Sequence, residues 1–172
     1  MNLTVRLARL EELDAIWALV QRAVERMHQR GNDQWGDQYP DRIDFAEDIE
    51  RGELWCVADD SDAVLGVAAV ICRHEPDYAD VPFRKPEPAL SMHRVAVDPA
   101  REGLGVGSAL FEQFERLGRE RGVEALRIDT YDLNDRMQFL IRKHGFDYVG
   151  DTHYPRRPLP YHCYEKILED ET

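Results

Sequence analysis

Apolar side chains recur along this chain either at every second position, as in a strand, or at the spacing of a helix. The points where one spacing gives way to the other divide the chain into predicted strands and helices. Alternating apolar and polar positions over residues 3–7 predict a first β-strand. Apolar residues at helical spacing then predict a helix that ends near Gly31, and they are Leu13, Ile16, Trp17, Val20, Val24 and Met27. A shorter helix is predicted before Gly52, with an apolar face of Ile43, Ala46 and Ile49.

After Gly52 the pattern predicts strands separated by turns, together with two further helices. The strands are predicted over residues 54–58, 64–72, 89–97, 125–130, 146–149 and 162–167. One helix has an apolar face of Val106, Ala109, Leu110, Phe114 and Leu117, and the other, capped by Asn134, has a face of Met137, Leu140 and Ile141. Four prolines indicate a surface excursion over residues 74–88. The order β-α-α-β-β-β-α-β-α-β-β predicts an α/β class fold with a mixed sheet, in a single domain over residues 1–172.

Charge and length exclude several classes of protein. The chain has 172 residues, enough for one domain with a buried core, and 22 basic against 34 acidic residues give a net charge of −12. Such an acidic chain lacks the basic face of a nucleic-acid-binding protein. The longest apolar stretch, residues 63–72, is too short to span a membrane, and the first residues lack the apolar segment of a signal peptide. Three cysteines without paired spacing, Cys56, Cys72 and Cys163, predict reduced thiols and a cytoplasmic protein.

A glycine-rich loop is the strongest chemical signal. Gly103, Gly105 and Gly107 follow a strand and directly precede a helix, an arrangement that holds phosphate with backbone N–H groups and the helix dipole. One alternative is a flexible turn. A second is a dinucleotide-binding turn, since Gly103-x-Gly105-x-x-Ser108 nearly fits that pattern, with Asp129 ending the next strand. The third is a loop for the pyrophosphate of coenzyme A.

The loop and its surroundings resemble the acetyl-CoA-dependent N-acetyltransferase (GNAT) superfamily. Residues 102–107, Glu-Gly-Leu-Gly-Val-Gly, stand where that family has Arg/Gln-x-x-Gly-x-Gly/Ala, and residues 126–130 with Asn134 and Gly145 resemble its second cofactor segment. The residues around Trp35 and Tyr39 are similar to a loop in one bacterial subgroup. The resemblance implies a mostly antiparallel sheet flanked by helices, acetyl-CoA as cosubstrate and a small-molecule or peptide amine as acceptor. It also implies that the acetyl group is transferred directly to the amine in a ternary complex. The implied cofactor contacts are Val95, Ala96, Val97, Glu102, Gly103, Leu104, Gly105, Val106, Gly107, Ser108 and Asn134.

Two positions depart from the family's pattern. Glu102 replaces the Arg or Gln, and its carboxylate would repel a pyrophosphate, so we expect it to turn outward, with Arg101 neutralising charge nearby and backbone N–H groups doing most of the binding. Ile141 stands seven residues after Asn134, where many members carry a tyrosine that protonates the leaving thiolate. These departures leave open a non-catalytic acyl-CoA-binding module, and a nicotinamide-linked oxidoreductase remains a further alternative.

Acetyl transfer needs a base for the amine, whose pKa is about 10.4 when it resembles a lysine side chain. Strand alternation puts Ser91 and His93 on one face with Val95 and Val97, and His93 is the base candidate because an imidazole titrates near neutrality. Its alternative role is a hydrogen bond within the sheet. Arg94 would face the other way and be structural. Other acids weighed as bases are Glu75, Asp129 and Asp132.

Tyrosines supply the candidates for the general acid. Tyr164 is the first choice among Tyr131, Tyr148, Tyr161 and Tyr164, with water as the alternative. Trp35, Tyr39 and Ser91 are predicted to contact the acceptor, although the two aromatics could instead fix their loop to the core. No spacing of histidines and cysteines indicates a metal site. By analogy with the family, the chain is expected to form a homodimer.

Overall fold

The computed structural model describes residues 1–169 and contains the elements in the order that the apolar periods predict. The helices are α1 (Leu13–Gln29), α2 (Arg42–Glu50), α3 (Val106–Glu120) and α4 (Asp135–Lys143). The strands are β1 (Thr4–Leu7), β2 (Leu54–Ala58), β3 (Val64–Ile71), β4 (Leu90–Val97), β5 (Ala125–Tyr131), β6 (Asp147–Thr152) and β7 (Tyr161–Ile167). Within residues 1–169, no helix has the length and apolar content that crossing a membrane requires.

The strands follow the order β1-β2-β3-β4-β5-β7-β6. The pairs β1/β2, β2/β3, β5/β7 and β6/β7 are antiparallel, and β4/β5 is parallel. The predicted mixed, mostly antiparallel α/β fold is therefore confirmed. Backbone contacts group the chain into a first unit, Met1–Val70 with Arg94–Gln113, and a second unit, Ile71–His93 with the chain from Phe114 onward. A single domain over residues 1–172 stays a prediction.

In the first unit, α2 buries a different face from the one predicted. Phe45 and Asp48 are buried, whereas Ile43 is 62% exposed. The Phe45 ring packs against Trp17 of α1, with 6.2 Å between ring centroids, and Asp48 accepts hydrogen bonds from Arg94. One aromatic contact and one buried ion pair thus orient α2, and the aliphatic spacing of its sequence does not.

In the second unit, the proline-rich excursion is partly buried. Tyr78 and Val81 pack against Cys163 of β7 and form a small core cluster, so the predicted surface excursion is wrong for these residues. The Asn134 cap is confirmed, because its side chain accepts a hydrogen bond from the Met137 amide at 3.1 Å. Cys72 lies just after β3 and is exposed, so it is not part of that strand as predicted.

The backbone of β4 is irregular near its middle. Arg94 has a φ of +52°, a left-handed conformation that a non-glycine residue adopts only where its surroundings hold it. A strand alternates its side chains only while it stays extended. The predicted common face of Ser91, His93, Val95 and Val97 is therefore interrupted between His93 and Val95.

Candidate active site

The glycine loop of the first unit has the conformation that only glycine adopts readily. Gly103 and Gly105 have φ values of +78° and +86°, and a Cβ placed on either would meet no atom within 4 Å. The space beside both residues is therefore open. Gly107, in contrast, lies within the first turn of α3.

Helix α3 begins directly at the loop. The Ala109 amide donates to the carbonyl oxygen of Gly105 at 3.0 Å, so the helical hydrogen bonding reaches back into the loop. N–H groups in the first turn of a helix point out of its N-terminal end and carry its positive dipole. The loop with the start of α3 is thus an arrangement suited to an anion.

Close packing fixes this end of α3 against the sheet. A Cβ on Gly66 of β3 would stand 2.6 Å from Val106 Cγ1 and 3.1 Å from the Ala96 carbonyl oxygen. Ahead of the loop, Asp98 accepts a hydrogen bond from the Ala100 amide at 3.1 Å and pairs with Arg22 of α1 at 3.0 Å. The glycine in β3 is therefore needed for α3 to start where it does.

Glu102, the residue that departs from the family's pattern, is paired with one arginine of α1 and with the arginine that caps its C-terminal end. Arg30 donates two hydrogen bonds to its carboxylate, at 3.0 and 2.7 Å, and Arg26 lies 3.6 Å from it. Arg26 and Arg30 thus place cations beside this carboxylate, and neutralisation of the charge nearby by Arg101 stays a prediction.

Arg94 joins the irregular part of β4 to the segments ahead of it in the first unit. It donates to both carboxylate oxygens of the buried Asp48, at 2.6 and 2.8 Å, and to the Tyr39 hydroxyl at 3.0 Å. Burial raises the pKa of Asp48, and the hydrogen bonds from Arg94 oppose that shift. The structural role expected of Arg94 agrees with these contacts. Trp35, predicted to contact the acceptor, is buried, and its carbonyl oxygen is bonded to the His28 ring at 2.6 Å.

The second unit brings His93 and Glu75 together. A hydrogen bond joins His93 Nε2 to Glu75 Oε1, and both side chains are largely buried. Among the described residues, the other carboxylate oxygen of Glu75 is buried without a hydrogen-bond partner. The Tyr78 ring stacks on the imidazole, with 6.1 Å between ring centroids. Sequence reasoning named these residues as separate base candidates, and the structure makes them a pair.

Asp129 lies beside this pair and accepts hydrogen bonds from two phenols. Tyr78 donates to its Oδ1 at 2.5 Å, and Tyr154 also bonds to it. Burial raises the pKa of Asp129, while the charge of His93 and the phenol hydrogen bonds oppose the shift. Burial likewise raises the pKa of Tyr78 well above its usual value, so that phenol stays protonated. Sequence reasoning missed the two tyrosines, because nothing in the local pattern distinguishes them.

Tyr164, the predicted general acid, is fully buried in β7 of the second unit. Arg142 donates to its hydroxyl at 3.3 Å, and the hydroxyl lies 3.5 Å from Gln138 Oε1. Burial raises its pKa, with the Arg142 charge opposing. Of the other tyrosines considered, Tyr131 and Tyr161 are buried and Tyr148 is exposed. Ser91, predicted to contact the acceptor, is also buried, in β4.

The model of the acetyltransferase (GNAT) family matches residues 16–146, which include the loop, His93 and Asn134. The chain belongs to the acetyltransferase (GNAT) family. It is therefore an acetyl-CoA-dependent N-acetyltransferase, as the resemblance implies, with acetyl-CoA as cosubstrate and an amine as acceptor. The nicotinamide-linked and non-catalytic alternatives are not supported by this membership.

Individual relatives agree with the family assignment. YesJ of Bacillus subtilis (strain 168), described as an uncharacterized N-acetyltransferase, is 23% identical over 163 residues, covering 94% of this chain and 88% of YesJ. A GNAT-family acetyltransferase from Streptococcus agalactiae 2603 gives a TM-score of 0.83 at 28% identity, covering 98% of this chain and 96% of that one. The fold is also that of yncA from Salmonella typhimurium, solved with its cofactor acetyl-CoA, at a TM-score of 0.71 and 18% identity, covering 98% and 95%.

Proposed function

We propose that this GNAT enzyme transfers the acetyl group directly from acetyl-CoA to a primary amine while both are bound. The amine nitrogen attacks the thioester carbonyl carbon, the carbon–sulfur bond breaks, and CoA leaves as a thiolate. Proximity of the two substrates supplies much of the rate, so no covalent enzyme intermediate is needed. The observation that carries the proposal is the His93–Glu75 pair, a proton acceptor with its own anionic partner.

His93 is the proposed base. An ammonium must lose a proton before it can attack, and the imidazole takes that proton near neutral pH. The Glu75 carboxylate stabilises the imidazolium that results, as a paired carboxylate does in other histidine-based sites. Tyr164 remains the predicted donor of a proton to the departing thiolate, with water as its alternative.

Replacing His93 tests this assignment. We expect His93→Gln to lower kcat by about 100-fold or more, the usual contribution of a general base, with little change in the KM for acetyl-CoA. Glu75→Gln should move the acidic limb of the pH–rate profile to lower pH, because the imidazolium loses its anionic partner. His74→Gln is the matched control, since His74 forms an exposed pair with Glu87 at 3.1 Å in the same excursion. A His93→Gln enzyme with the parent pH profile would contradict the proposal.

The kinetic order tests direct transfer. Initial rates measured over both substrates should give intersecting reciprocal plots. Parallel plots, together with an acetylated protein in intact mass spectra, would instead indicate a thiol intermediate and refute direct transfer. Cys72 and Cys163 are the thiols to examine in that event. Cys72 is exposed, whereas burial raises the pKa of Cys163 above the usual range and makes it a poor nucleophile.

The proposed cofactor contacts are the loop from Glu102 to Ser108, the β4 backbone at Val95–Val97, and Asn134. Gly105→Val tests the loop, because a β-branched residue is strained at a φ of +86° and fills the open space. We expect that calorimetry will detect no CoA binding by the Gly105→Val variant. Gly52→Val is the matched control, with a φ of +68° and equally open surroundings at the end of α2. Retained micromolar affinity in Gly105→Val would refute the loop assignment.

Finer features of the function extend the proposal. A net charge of −12 favours a cationic acceptor, such as a polyamine or a protein amine, and a panel of amines assayed by thiol release tests this preference. Trp35, Tyr39 and Ser91 remain the predicted acceptor contacts. A homodimer and a cytoplasmic location also remain predictions. Sedimentation equilibrium tests whether the chain forms a homodimer.

A further inference from the structure

Two arginines of α1 and the C-cap residue that follows it form a stripe beside the segment that leads into the glycine loop. Arg22, Arg26 and Arg30 are spaced by four residues, which places them on one face of the helix. Arg22 pairs with Asp98, whereas Arg26 and Arg30 both lie against Glu102. This charged face is therefore lined up along residues 98–102 of the same unit.

The stripe changes the charge at the entrance of the loop. In the family's pattern the position of Glu102 is held by Arg or Gln, so the sequence alone suggests that the loop has lost a favourable group for phosphate. Arg22, Arg26 and Arg30 thus bring three guanidinium groups to the carboxylates of Asp98 and Glu102. The charge lost from the loop has therefore been supplied by α1 and its C-cap residue.

We propose that Arg30, assisted by Arg26 and held in place by Glu102, is a phosphate-binding residue for the coenzyme A moiety. The inference rests on the proposed role of the loop in cofactor binding. Glu102 then acts as a positioning residue, and its two hydrogen bonds fix the plane of the Arg30 guanidinium.

The geometry of arginine makes this arrangement workable. A guanidinium has five N–H donors, and the two bonds to Glu102 use only part of that set. The Arg30 side chain is 35% exposed, so a ligand can approach it from solvent. A guanidinium held between a carboxylate and a phosphate binds both through planar, charge-assisted hydrogen bonds.

Calorimetric titration with CoA tests the proposal independently of turnover. We expect Arg30→Ala to weaken CoA binding by 10-fold or more, because it removes a cation and leaves the Glu102 charge beside the phosphates. Arg26→Ala should weaken it less. Glu102→Gln should weaken CoA binding less than Arg30→Ala does, because its amide oxygen still accepts a hydrogen bond from Arg30 and the repelling charge is gone. Arg119→Ala is the matched control, because Arg119 pairs with Glu115 at 3.0 Å in the last turn of α3, away from the loop.

The same titrations separate this inference from the loop assignment. Parent affinity in Arg30→Ala, with binding lost in Gly105→Val, would overturn the arginine inference and leave the loop assignment intact. Parent affinity in both would overturn both. Loss of CoA binding in Glu102→Gln as large as in Arg30→Ala would also overturn the inference, because the pair would then be a structural support alone. Thermal unfolding of each variant without ligand confirms that it is folded.

Titration with dephospho-CoA, which lacks the 3′-phosphate, shows which phosphate of CoA Arg30 contacts. If Arg30→Ala weakens CoA but leaves dephospho-CoA binding unchanged, the contact is to the 3′-phosphate. If it weakens both equally, the contact is to the pyrophosphate. Each result supports a phosphate-binding Arg30. We also expect added salt to weaken CoA binding more in the parent than in Arg30→Ala, because the variant has lost one charge contact.

Discussion

Removing the carboxylate of Glu165 should release the excursion that carries the Glu75 side chain. Glu165 lies in β7 with 0% of its side chain exposed. Its Oε1 accepts hydrogen bonds from Arg84 Nε at 2.8 Å and the Arg84 amide at 3.0 Å, and its Oε2 accepts from the Lys85 amide at 3.2 Å. One buried side chain therefore satisfies two backbone amides and one guanidinium of the excursion.

The size of the effect follows from these contacts. In Glu165→Ala, two amides lose their acceptor, and each buried donor left unpaired costs about 1–3 kcal/mol. The guanidinium contributes less, because the Arg84 side chain is 42% exposed and water can replace the carboxylate. Two fully buried amides would lose about 2–6 kcal/mol. Because both bonds are only partly buried, we expect a loss near the lower end, still a large part of the roughly 5–15 kcal/mol that stabilises a typical domain.

Urea unfolding measures this loss directly. Asp147→Ala is the control, because Asp147 pairs with the same Arg84 at 3.2 Å but is 68% exposed. The free energy of unfolding of Asp147→Ala should fall by no more than about 1 kcal/mol. Similar small losses for Glu165→Ala and Asp147→Ala would refute the argument that the buried carboxylate holds the excursion. Hydrogen exchange at the two amides should accelerate in Glu165→Ala alone, and kcat should fall because Glu75 lies in the released segment.

Two further perturbations have directions fixed by the structure. Gly66→Ala should weaken CoA binding more than it lowers the Tm, because its Cβ would stand 2.6 Å from Val106 Cγ1 and displace the start of α3; calorimetry beside thermal unfolding checks this. His162→Gln should destabilise the protein more at about pH 6 than at about pH 9 in urea unfolding. Burial lowers the His162 pKa, but hydrogen bonds to Asp151 and Asp132, both 2.7 Å, raise it overall. The stabilisation is complete below the unfolded pKa and is lost as the pH rises through the folded one. An equal loss at both pH values would contradict this reasoning.

Elements with strong periodicity were predictable because burial there follows the local repeat. The face of α1 and the succession of helices and strands along the chain depend on many apolar residues at once, so no single contact can overturn the pattern. Helix α2 is different, since it has only nine residues and few apolar ones. For such a helix one aromatic contact, Phe45 on Trp17, and one ion pair, Asp48 with Arg94, outweigh the aliphatic spacing.

The candidate site divides in the same way. The glycine loop and the Asn134 cap were predictable because each depends on residues close together in the chain. The pairs His93 with Glu75 and Arg30 with Glu102 join residues 18 and 72 positions apart, and no local pattern encodes such contacts. A basic stripe at every fourth residue of α1 was visible in the sequence, but only the fold shows that it faces the loop.

An acidic enzyme that uses an anionic cosubstrate must solve an electrostatic conflict. The net charge of −12 repels CoA at long range, but at physiological salt that repulsion is screened beyond about 8 Å. Under the proposed cofactor contacts, CoA binding depends on charges close to the glycine loop, where Arg26 and Arg30 both lie against the carboxylate of Glu102. The same net charge is the reason why a cationic amine is the proposed acceptor. Added salt should consequently weaken the binding of a polyamine acceptor, as it weakens the contact of Arg30 with CoA, because both depend on opposite charges.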